Sequence, residues 1–329
     1  MIITRTPFRV SFFGGGSDFP AFYDEHGGAV LSTSIDKYCY ITVRELPPFF
    51  DHKYRIRYTK REEVNSIVDI QHPSVRACLI HRGITEGLEV LHTSDIPAMS
   101  GIGSSSAFTV GLLHALSALK DESIAKSELC QDALHVEQHM LQENVGSQDQ
   151  TAAAFGGLNK IKFKKDQAPI VSPLSIHRHR RIQLEQNLML FFTRFSRISD
   201  TIAKDQIKKT PMLTSELTAM KSMVNQAIDI LSDEKLSLNN FGELLHDSWT
   251  IKRQLTDKIT NFEIDEYYLK ARNAGAIGGK LCGAGGGGFF MLFVPPEKQA
   301  QVKRALSDLL HVPFKFEFKG TQTVFNSKC

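Results

Sequence analysis

Apolar and polar positions alternate along the N-terminal part of the chain, and this pattern predicts a sheet. The stretch FRVSFFG is apolar and ends at the glycine triplet 14–16. Residues 28–46 alternate over two strands, as in a half-buried antiparallel sheet, and KYRIRYT continues the period of two. Residues 75–83 have helical spacing, and GLEVLHTSDIP returns to a strand. The N-terminal part is therefore expected to be a sheet with a helix between two of its strands.

Helical spacing dominates after this region, with strands placed between the helices. FGGLNKIKFKK, RIQLEQNLMLFFTRF and the closing FKFEF are predicted strands, and a glycine-rich stretch leads into the strand MLFV. The predicted helices are 105–119, 127–142, 212–231, 241–256, 264–274 and 297–310. Strands and helices do not alternate strictly, so the expected fold class is α+β. A Pro/His/Arg-rich stretch suggests two domains, residues 1–180 and 181–329.

Composition narrows the location and the partners of the 329-residue chain. The net charge is +3 and no basic stripe with interleaved aromatics occurs, which argues against nucleic acid as a partner. The five cysteines are scattered, which favours a reducing compartment. No apolar run approaches the roughly 18 residues of a membrane span, and the start lacks the charged region of a signal peptide. We therefore expect a cytoplasmic protein without a membrane partner.

The stretch DIPAMSGIGSSSAFTVGLLHAL places glycines and serines at the start of a predicted helix. Free amide groups and the helix dipole favour an anion there, and serine hydroxyls add donors or a magnesium ligand. We predict a phosphate cradle, although a turn is the alternative for a single such stretch. The chain has no G-x-x-x-x-G-K-[ST] motif, and a dinucleotide-binding fingerprint is poorly supported.

Two carboxylates follow the cradle within one short segment. Glu137 is predicted on a helix, and Asp149 comes twelve residues later, past a glycine turn. One carboxylate would bind Mg²⁺ and the other would accept or orient a proton from a substrate hydroxyl. Each taken alone also fits a surface acid or a helix cap.

Three segments in order resemble the motifs of the GHMP small-molecule kinases: PFRVSFFGGGSD, PAMSGIGSSSA with Asp149 in GSQDQ, and GGKLCGAGGGGF. Within that family the sequence is most similar to the bacterial D-glycero-D-manno-heptose 7-phosphate kinases. The resemblance implies ATP and Mg²⁺ as cofactors. It also implies an N-terminal domain like ribosomal protein S5 domain 2, a ferredoxin-like C-terminal domain, and an active site between them.

The resemblance also implies roles for individual residues. Asp149 would activate the acceptor hydroxyl, and Arg9 would hold the transferring phosphoryl group or the acceptor oxygen. Glu137 and Ser105 would bind Mg²⁺, with Ser106 as the alternative to Ser105. The cradle residues that would bind the ATP phosphates are Gly101, Gly103, Ser104, Ser105 and Ser106.

The acceptor is expected to be a small sugar phosphate. Galactokinases have Glu-His-Thr-Asp in the first motif, where this chain has Gly15, Gly16, Ser17 and Asp18. The two missing side chains argue against galactose, and Asp18 remains a candidate for a sugar hydroxyl. A substrate phosphate needs cations, for which Arg197 and Lys280 are the main candidates, and arginine suits bidentate contacts. The resemblance also implies that the glycines of the third motif, from Gly283 to Gly288, let the backbone approach the phosphates and the substrate closely, with Gly285 and Gly286 as substrate-binding candidates.

Further basic residues are Arg194, Lys204, Lys252 and Arg253, each of which singly fits a surface charge. The implied reaction transfers phosphate from ATP to the anomeric hydroxyl of D-glycero-D-manno-heptose 7-phosphate. The product is the 1,7-bisphosphate, a step towards nucleotide-activated heptose for surface polysaccharide. The alternatives are an L-fucose-type anomeric kinase and a non-catalytic sugar- or nucleotide-binding regulator. A homodimer stays open beside a monomer.

Overall fold

The structure, a computed structural model, describes residues 1–194 and 199–327. The strands of this part are β1 (Ile2–Phe13), β2 (Gly28–Glu45), β3 (Tyr54–Arg57), β4 (Arg61–Val64), β5 (Leu88–Ser94), β6 (Leu158–Phe163), β7 (Ile170–Pro173), β8 (Leu188–Phe192), β9 (Gly278–Leu281), β10 (Phe289–Phe293), β11 (Leu310–His311), β12 (Phe316–Glu317) and β13 (Gln322–Asn326). The α-helices are α1 (Pro20–His26), α2 (Pro73–His81), α3 (Ser104–Leu119), α4 (Lys126–Leu134), α5 (Gln148–Phe155), α6 (Arg178–Gln186), α7 (Ser199–Lys209), α8 (Thr214–Ser232), α9 (Asn239–Lys252), α10 (Phe262–Asn273) and α11 (Gln299–Ala305).

The larger sheet is organised around the long antiparallel pair β1 and β2. Its order is β13-β1-β2-β5-β3-β4, and β6 and β12 pair with further parts of β2. The second half of β1 is buried at every position, which explains why its sequence is continuously apolar rather than alternating. Helices α3 and α5 pack on this strand, and so do α8 and α9. The strand thus carries its side chains into the centre of the molecule.

The smaller sheet has the order β11-β8-β10-β9, and its strands pair in antiparallel fashion. The apolar sequence of β10 is fully buried because the strand is central. Trp249 of α9 packs edge-on against Phe290 of β10, with 5.9 Å between ring centroids. The helix α9 also packs along β9 and carries its last residue, Lys252, towards the larger sheet. This packing brings the third glycine-rich segment beside the second one.

The predicted strand RIQLEQNLMLFFTRF is wrong in its first half. Residues 181–186 belong to α6, and only Leu188–Phe192 form a strand. Leu184 is fully buried whereas Ile182 is 38% exposed, because residues two apart lie on opposite faces of a helix and not on one face as in a strand. The predicted domain division at 180/181 falls inside this helix and stays a prediction.

Several shorter elements also differ from the sequence-based expectation. The predicted helix 127–142 is α4 followed by a π-helical segment, His135–Met140. The predicted helix 297–310 is reduced to α11 with a short 3₁₀ turn before it. The chain then returns to the larger sheet, where β12 pairs with β2 and β13 with β1. The elements that were not predicted are the helices α1, α5 and α7 and the strands β4, β7, β9, β11 and β13.

In the described ranges, no helix has both the length and the apolar character needed to cross a membrane.

Candidate active site

The second glycine-rich segment forms a loop that ends at the start of α3. Gly101 and Gly103 have φ angles of 78° and 77°, in the left-handed region that favours glycine. Gly103 is the residue before the helix, and its carbonyl accepts the N–H of Ala107. The helix therefore begins at Ser104, and its first-turn amides open towards a cavity lined by Ser104, Ser105 and Ser106. The loop has the geometry predicted for a phosphate cradle.

Arg9 and Asp149 form a bidentate ion pair beside this loop. Arg9 Nε donates to Asp149 Oδ1 and Arg9 Nη2 to Asp149 Oδ2, each at 2.8 Å. Arg9 Nη1 donates to the carbonyl of Gly101, also at 2.8 Å. The Asp149 side chain is 25% exposed, whereas that of Arg9 is 4% exposed. The carboxylate is thus held rigidly at the cavity wall with one side open.

Local structure explains why Asp149 lies there. It occupies the first turn of α5, where the helix dipole stabilises a carboxylate. Arg9 lies on β1, and its backbone N–H donates to the carbonyl of Ile102 at 3.1 Å. This hydrogen bond joins the strand to the loop. The structure therefore brings together the two residues that the sequence predicted as catalytic.

Glu137 is buried beneath the start of α3. Ser106 Oγ donates to Glu137 Oε2 at 2.8 Å, and Gln150 Nε2 donates to the same oxygen at 2.5 Å. Glu137 Oε1 is buried without a hydrogen-bond partner within the described part of the chain. Burial above all, and then the charge of Glu143, raises the pKa of the Glu137 carboxyl to about 7.

The π-helical segment explains the position of Glu137. A π-turn inserts an extra residue into the helical register and is frequent at functional sites. Ser105 is exposed, while Ser106 is buried and contacts Glu137. The serine that shares a site with Glu137 is therefore Ser106 in this geometry, and the role predicted for Ser105 stays a prediction.

The first glycine-rich segment forms a turn at the opposite wall. Gly16 N–H donates to Asp18 Oδ1 at 2.8 Å, and Gly15, Gly16 and Asp18 line the cavity. Burial first, and then the charge of Asp149, raises the pKa of the Asp18 carboxyl to about 6. Ser17 Oγ donates to the carbonyl of Gly14 at 2.7 Å, so this hydroxyl supports the turn and is not part of the cavity wall.

Two buried lysines complete the wall on the side of the smaller sheet. Lys280 Nζ donates to the carbonyl of Phe12 at 3.0 Å. Lys252 Nζ donates to the carbonyls of Leu281 at 3.1 Å and Gly283 at 2.5 Å. Burial lowers the pKa of Lys252 to about 7 and that of Lys280 to about 8. Lys280 is thus where the sequence placed it, whereas Lys252 is buried in the cavity wall and is not a surface charge.

The remaining predicted ligands lie elsewhere. Gly286 N–H donates to the carbonyl of Ile259 at 2.8 Å, and a Cβ on Gly285 would lie 2.8 Å from Ile259 Cα. These two glycines pack against the chain before α10, while Gly283 and Ala284 of the same segment line the cavity. Arg197 lies outside the described residues.

A second cavity adjoins the phosphate loop from the other side. It shares Met99, Ser104 and Ser105 with the first cavity. The ring of Phe108 stacks on His72 at a centroid distance of 4.8 Å and packs edge-on against His92 at 5.1 Å. Sequence reasoning missed this pocket because His72 and His92 come from distant segments, and no motif marks these two residues.

A glycine- and serine-rich loop at the start of α3, a carboxylate held by an arginine and two buried lysines line one cavity, which is the arrangement expected of a small-molecule kinase. Residues 72–157 match the protein-family model described as GHMP kinases N terminal domain, and residues 216–312 match the family model described as GHMP kinases C terminal. A curated D-glycero-alpha-D-manno-heptose 7-phosphate kinase from Campylobacter jejuni is 31% identical over 317 residues, 93% of each chain. A mevalonate kinase from Pyrococcus horikoshii is 30% identical over 67% of this chain and 63% of its own.

Solved structures share the fold. A D-glycero-D-manno-heptose 1-phosphate kinase from Bacteroides thetaiotaomicron has a TM-score of 0.80 at 24% identity, covering 99% of both chains. A galactokinase from Lactococcus lactis has a TM-score of 0.76 at 16% identity, covering 98% of this chain and 95% of its own. The chain belongs to the GHMP kinase family and is an ATP-dependent phosphotransferase. The predicted α+β class and GHMP kinase fold are confirmed.

Proposed function

We propose that this protein is a sugar kinase that phosphorylates the anomeric hydroxyl of D-glycero-D-manno-heptose 7-phosphate to the 1,7-bisphosphate. The observation that carries the proposal is the Arg9–Asp149 ion pair, which lies between the phosphate loop and the buried Asp18 in one cavity. The substrate assignment is supported by the heptose kinase that is 31% identical over 93% of the chain.

The nucleotide would span the two adjoining cavities. The aromatic cavity around Phe108 offers a stacking surface for the adenine base. The amides at the start of α3, with Gly101, Gly103 and the hydroxyls of Ser104 and Ser105, would hold the phosphates. A nucleotide bound in this way would have its terminal phosphate near Asp149.

The residues present fit a magnesium ion bound together with ATP. The buried Glu137 Oε1 has no partner among the described residues, and Ser106 Oγ contacts the other carboxylate oxygen. Oxygen ligands of this kind suit Mg²⁺, which usually takes one or two carboxylates and substrate phosphates. Bound Mg²⁺ would neutralise phosphate charge during transfer. Glu137 with Ser106, or Ser105 as the sequence predicted, would hold it.

Asp149 would receive the proton of the acceptor hydroxyl. As the O–H bond breaks, the acceptor oxygen bonds to the terminal phosphorus, and the bond from that phosphorus to the leaving ADP oxygen breaks. Arg9 fixes the orientation of Asp149 through two hydrogen bonds and faces the charge of the transferring group. Transfer of this kind depends mainly on positioning and electrostatics, which these rigid contacts supply.

The sugar would bind at the turn of the first glycine-rich segment. The Asp18 carboxylate and the backbone of Gly15 and Gly16 face the cavity and can bind hydroxyls. Lys280, with Arg197 as the sequence predicted, would hold the phosphate that the acceptor already carries.

The test is ADP release by the purified protein with Mg-ATP and one of four sugars. We expect turnover with D-glycero-D-manno-heptose 7-phosphate and little with mannose 6-phosphate, L-fucose or galactose. Turnover with L-fucose alone would change the substrate assignment to L-fucose and leave the proposed mechanism unchanged. ATP binding without turnover on any sugar would favour a non-catalytic regulator.

A further inference from the structure

Two lysine side chains are buried in the cavity wall, with the Asp18 carboxyl near them but outside salt-bridge distance. Lys252 is 6% exposed and Lys280 is 2% exposed. Within the described residues neither forms an ion pair, because their hydrogen bonds go to the backbone carbonyls of Leu281, Gly283 and Phe12. Burying an unbalanced charge is costly, so a wall of this kind is expected to receive an anion.

A third polar group in the cavity wall is also consistent with a bound anion. Ser11 lines the cavity and is 4% exposed, and its hydroxyl has no hydrogen-bond partner in the described part of the chain. An ammonium group has three donors, and Lys280 uses one on Phe12. Donors therefore remain for a ligand between the two sheets.

Backbone contacts place Lys252 near the loop that is proposed to hold the phosphates of ATP. Its Nζ donates to the carbonyl of Gly283, and a Cβ on Gly283 would lie 2.7 Å from Gly101 Cα. Gly101 belongs to the phosphate loop, and its carbonyl accepts from Arg9 Nη1 at 2.8 Å. A chain of direct contacts thus runs from Lys252 through both glycine loops to the Arg9–Asp149 pair.

We infer that Lys252 is a further catalytic residue, which binds the terminal phosphoryl group of ATP during its transfer to the acceptor. The inference rests on the proposed kinase activity. Lys252, protonated once the phosphate is bound, would stay protonated during the transfer and supply positive charge, while Asp149 takes the acceptor proton. The other source of a phosphate dianion is the acceptor itself, and the experiment separates the two.

The charge state of Lys252 provides a direct measure of whether this side chain binds a phosphate. Burial, and then the charges of Lys280 and Arg9, lowers its pKa to about 7, whereas the nearby Cys282 and Asp18 raise it. Near neutral pH the Lys252 amine is therefore only partly protonated without a bound anion, and a phosphate dianion would draw a further proton onto it. Binding should take up protons from the buffer.

The experiment measures proton uptake by calorimetry in buffers of different ionisation enthalpy. The probes are Mg²⁺ with the β,γ-imido analogue of ATP, Mg²⁺ with ADP, and mannose 6-phosphate. In the unchanged protein we expect more uptake with the ATP analogue than with ADP. In Lys252→Met the excess should disappear. Excess uptake only with the sugar phosphate would overturn the inference, as would equal uptake with both nucleotides.

Turnover provides the second measurement. Lys252→Met should lower kcat for transfer and for the slow hydrolysis of ATP without sugar by about 10²-fold, the usual effect of one lost electrostatic contact. Lys252→Gln keeps a donor for the carbonyl of Gly283 but not the charge, so it should be equally slow. Recovery of kcat in Lys252→Gln would overturn the inference. A raised KM for the acceptor with unchanged kcat in Lys252→Met would overturn it as well.

A control and a second outcome complete the design. Arg253→Gln removes the neighbouring charge, which is half exposed and pairs with Asp265 at 3.4 Å, and should leave both measurements unchanged. If the unchanged protein binds nucleotide but does not phosphorylate the heptose phosphate, the proposed substrate fails. The uptake and hydrolysis measurements still decide the role of Lys252 in that case.

Discussion

The Asp149→Asn variant tests the centre of the proposed mechanism. The amide keeps the size of the carboxylate but cannot take the proton of the acceptor hydroxyl. Loss of a positioned general base costs roughly 10²–10⁴ in rate, which corresponds to about 3–5 kcal/mol of barrier. We expect kcat to fall by this factor with little change in the KM for ATP, because Asp149 is not among the residues proposed to hold the nucleotide.

The same substitution should destabilise the fold by a calculable amount. Breaking a buried ion pair on one side costs about 3–5 kcal/mol when both groups are fully buried. The Asp149 side chain is 25% exposed, and asparagine keeps one oxygen for Arg9, so we expect about 1–3 kcal/mol here. The contact from Arg9 to Gly101 should persist and keep the loop in place.

The assay combines ADP release at saturating substrate with the free energy of unfolding in urea. Asp265→Asn is the matched control, since Asp265 also pairs with an arginine but lies on α10 away from both cavities. Less than about a tenfold loss of kcat in folded Asp149→Asn would refute its role as the base, because a lost general base costs more.

Three further variants test other parts of the site, and Gly83→Ala is a control for the first of them. Gly283→Ala places a Cβ 2.7 Å from Gly101 and should raise the KM for ATP severalfold. Gly83 also has a positive φ, of 58°, but nothing lies within 4 Å of the added Cβ. Gly83→Ala should therefore cost only about 1 kcal/mol of stability in urea unfolding. Asp18→Asn should lower kcat/KM for the sugar and raise stability at about pH 8 by up to about 3 kcal/mol, since burial holds the carboxyl pKa at about 6. His92→Ala removes an edge contact to Phe108 and should raise the KM for ATP with kcat nearly unchanged in steady-state kinetics.

The sign of the Asp18 effect follows from linkage. Its folded pKa of about 6 lies above the ordinary value of 3.8. The protonated group therefore favours folding below about pH 4, and this contribution is lost as the pH rises through about 6. An equal gain from Asp18→Asn at low and high pH would contradict this account. Similar KM values for Gly83→Ala and Gly283→Ala would contradict the loop contact, and an unchanged KM in His92→Ala would contradict the base pocket.

Local motifs explain why part of the site could be predicted from the sequence. The glycines at 101 and 103, with the serines after them, meet a local requirement for positive φ and free amides, which is visible in the residues themselves. Asp149 and Glu137 lie in one short segment, and the motif order connects them to Arg9. The structure joins Arg9 to Asp149 directly, and Glu137 to Ser106.

Long-range packing explains why other parts could not be predicted. Lys252 is buried because α9 packs along β9, a contact between residues far apart in the sequence. Whether Ser105 or Ser106 contacts Glu137 depends on where α3 begins and on an extra residue in the π-helical segment. The region 181–186 alternates as a strand would, but it belongs to α6, which buries Leu184 and leaves Ile182 exposed.

The location of the site follows from the way the two sheets meet. Gly101 from the larger sheet's loop and Gly283 from the smaller sheet's loop approach so closely that a side chain on either would overlap the other segment. That contact gathers Arg9, Lys252 and Lys280 around one cavity, where their mutual repulsion and burial oppose folding. Phosphate groups bound there would offset that cost. In thermal unfolding with the β,γ-imido analogue of ATP, nucleotide and acceptor together should therefore stabilise the protein more than either ligand alone.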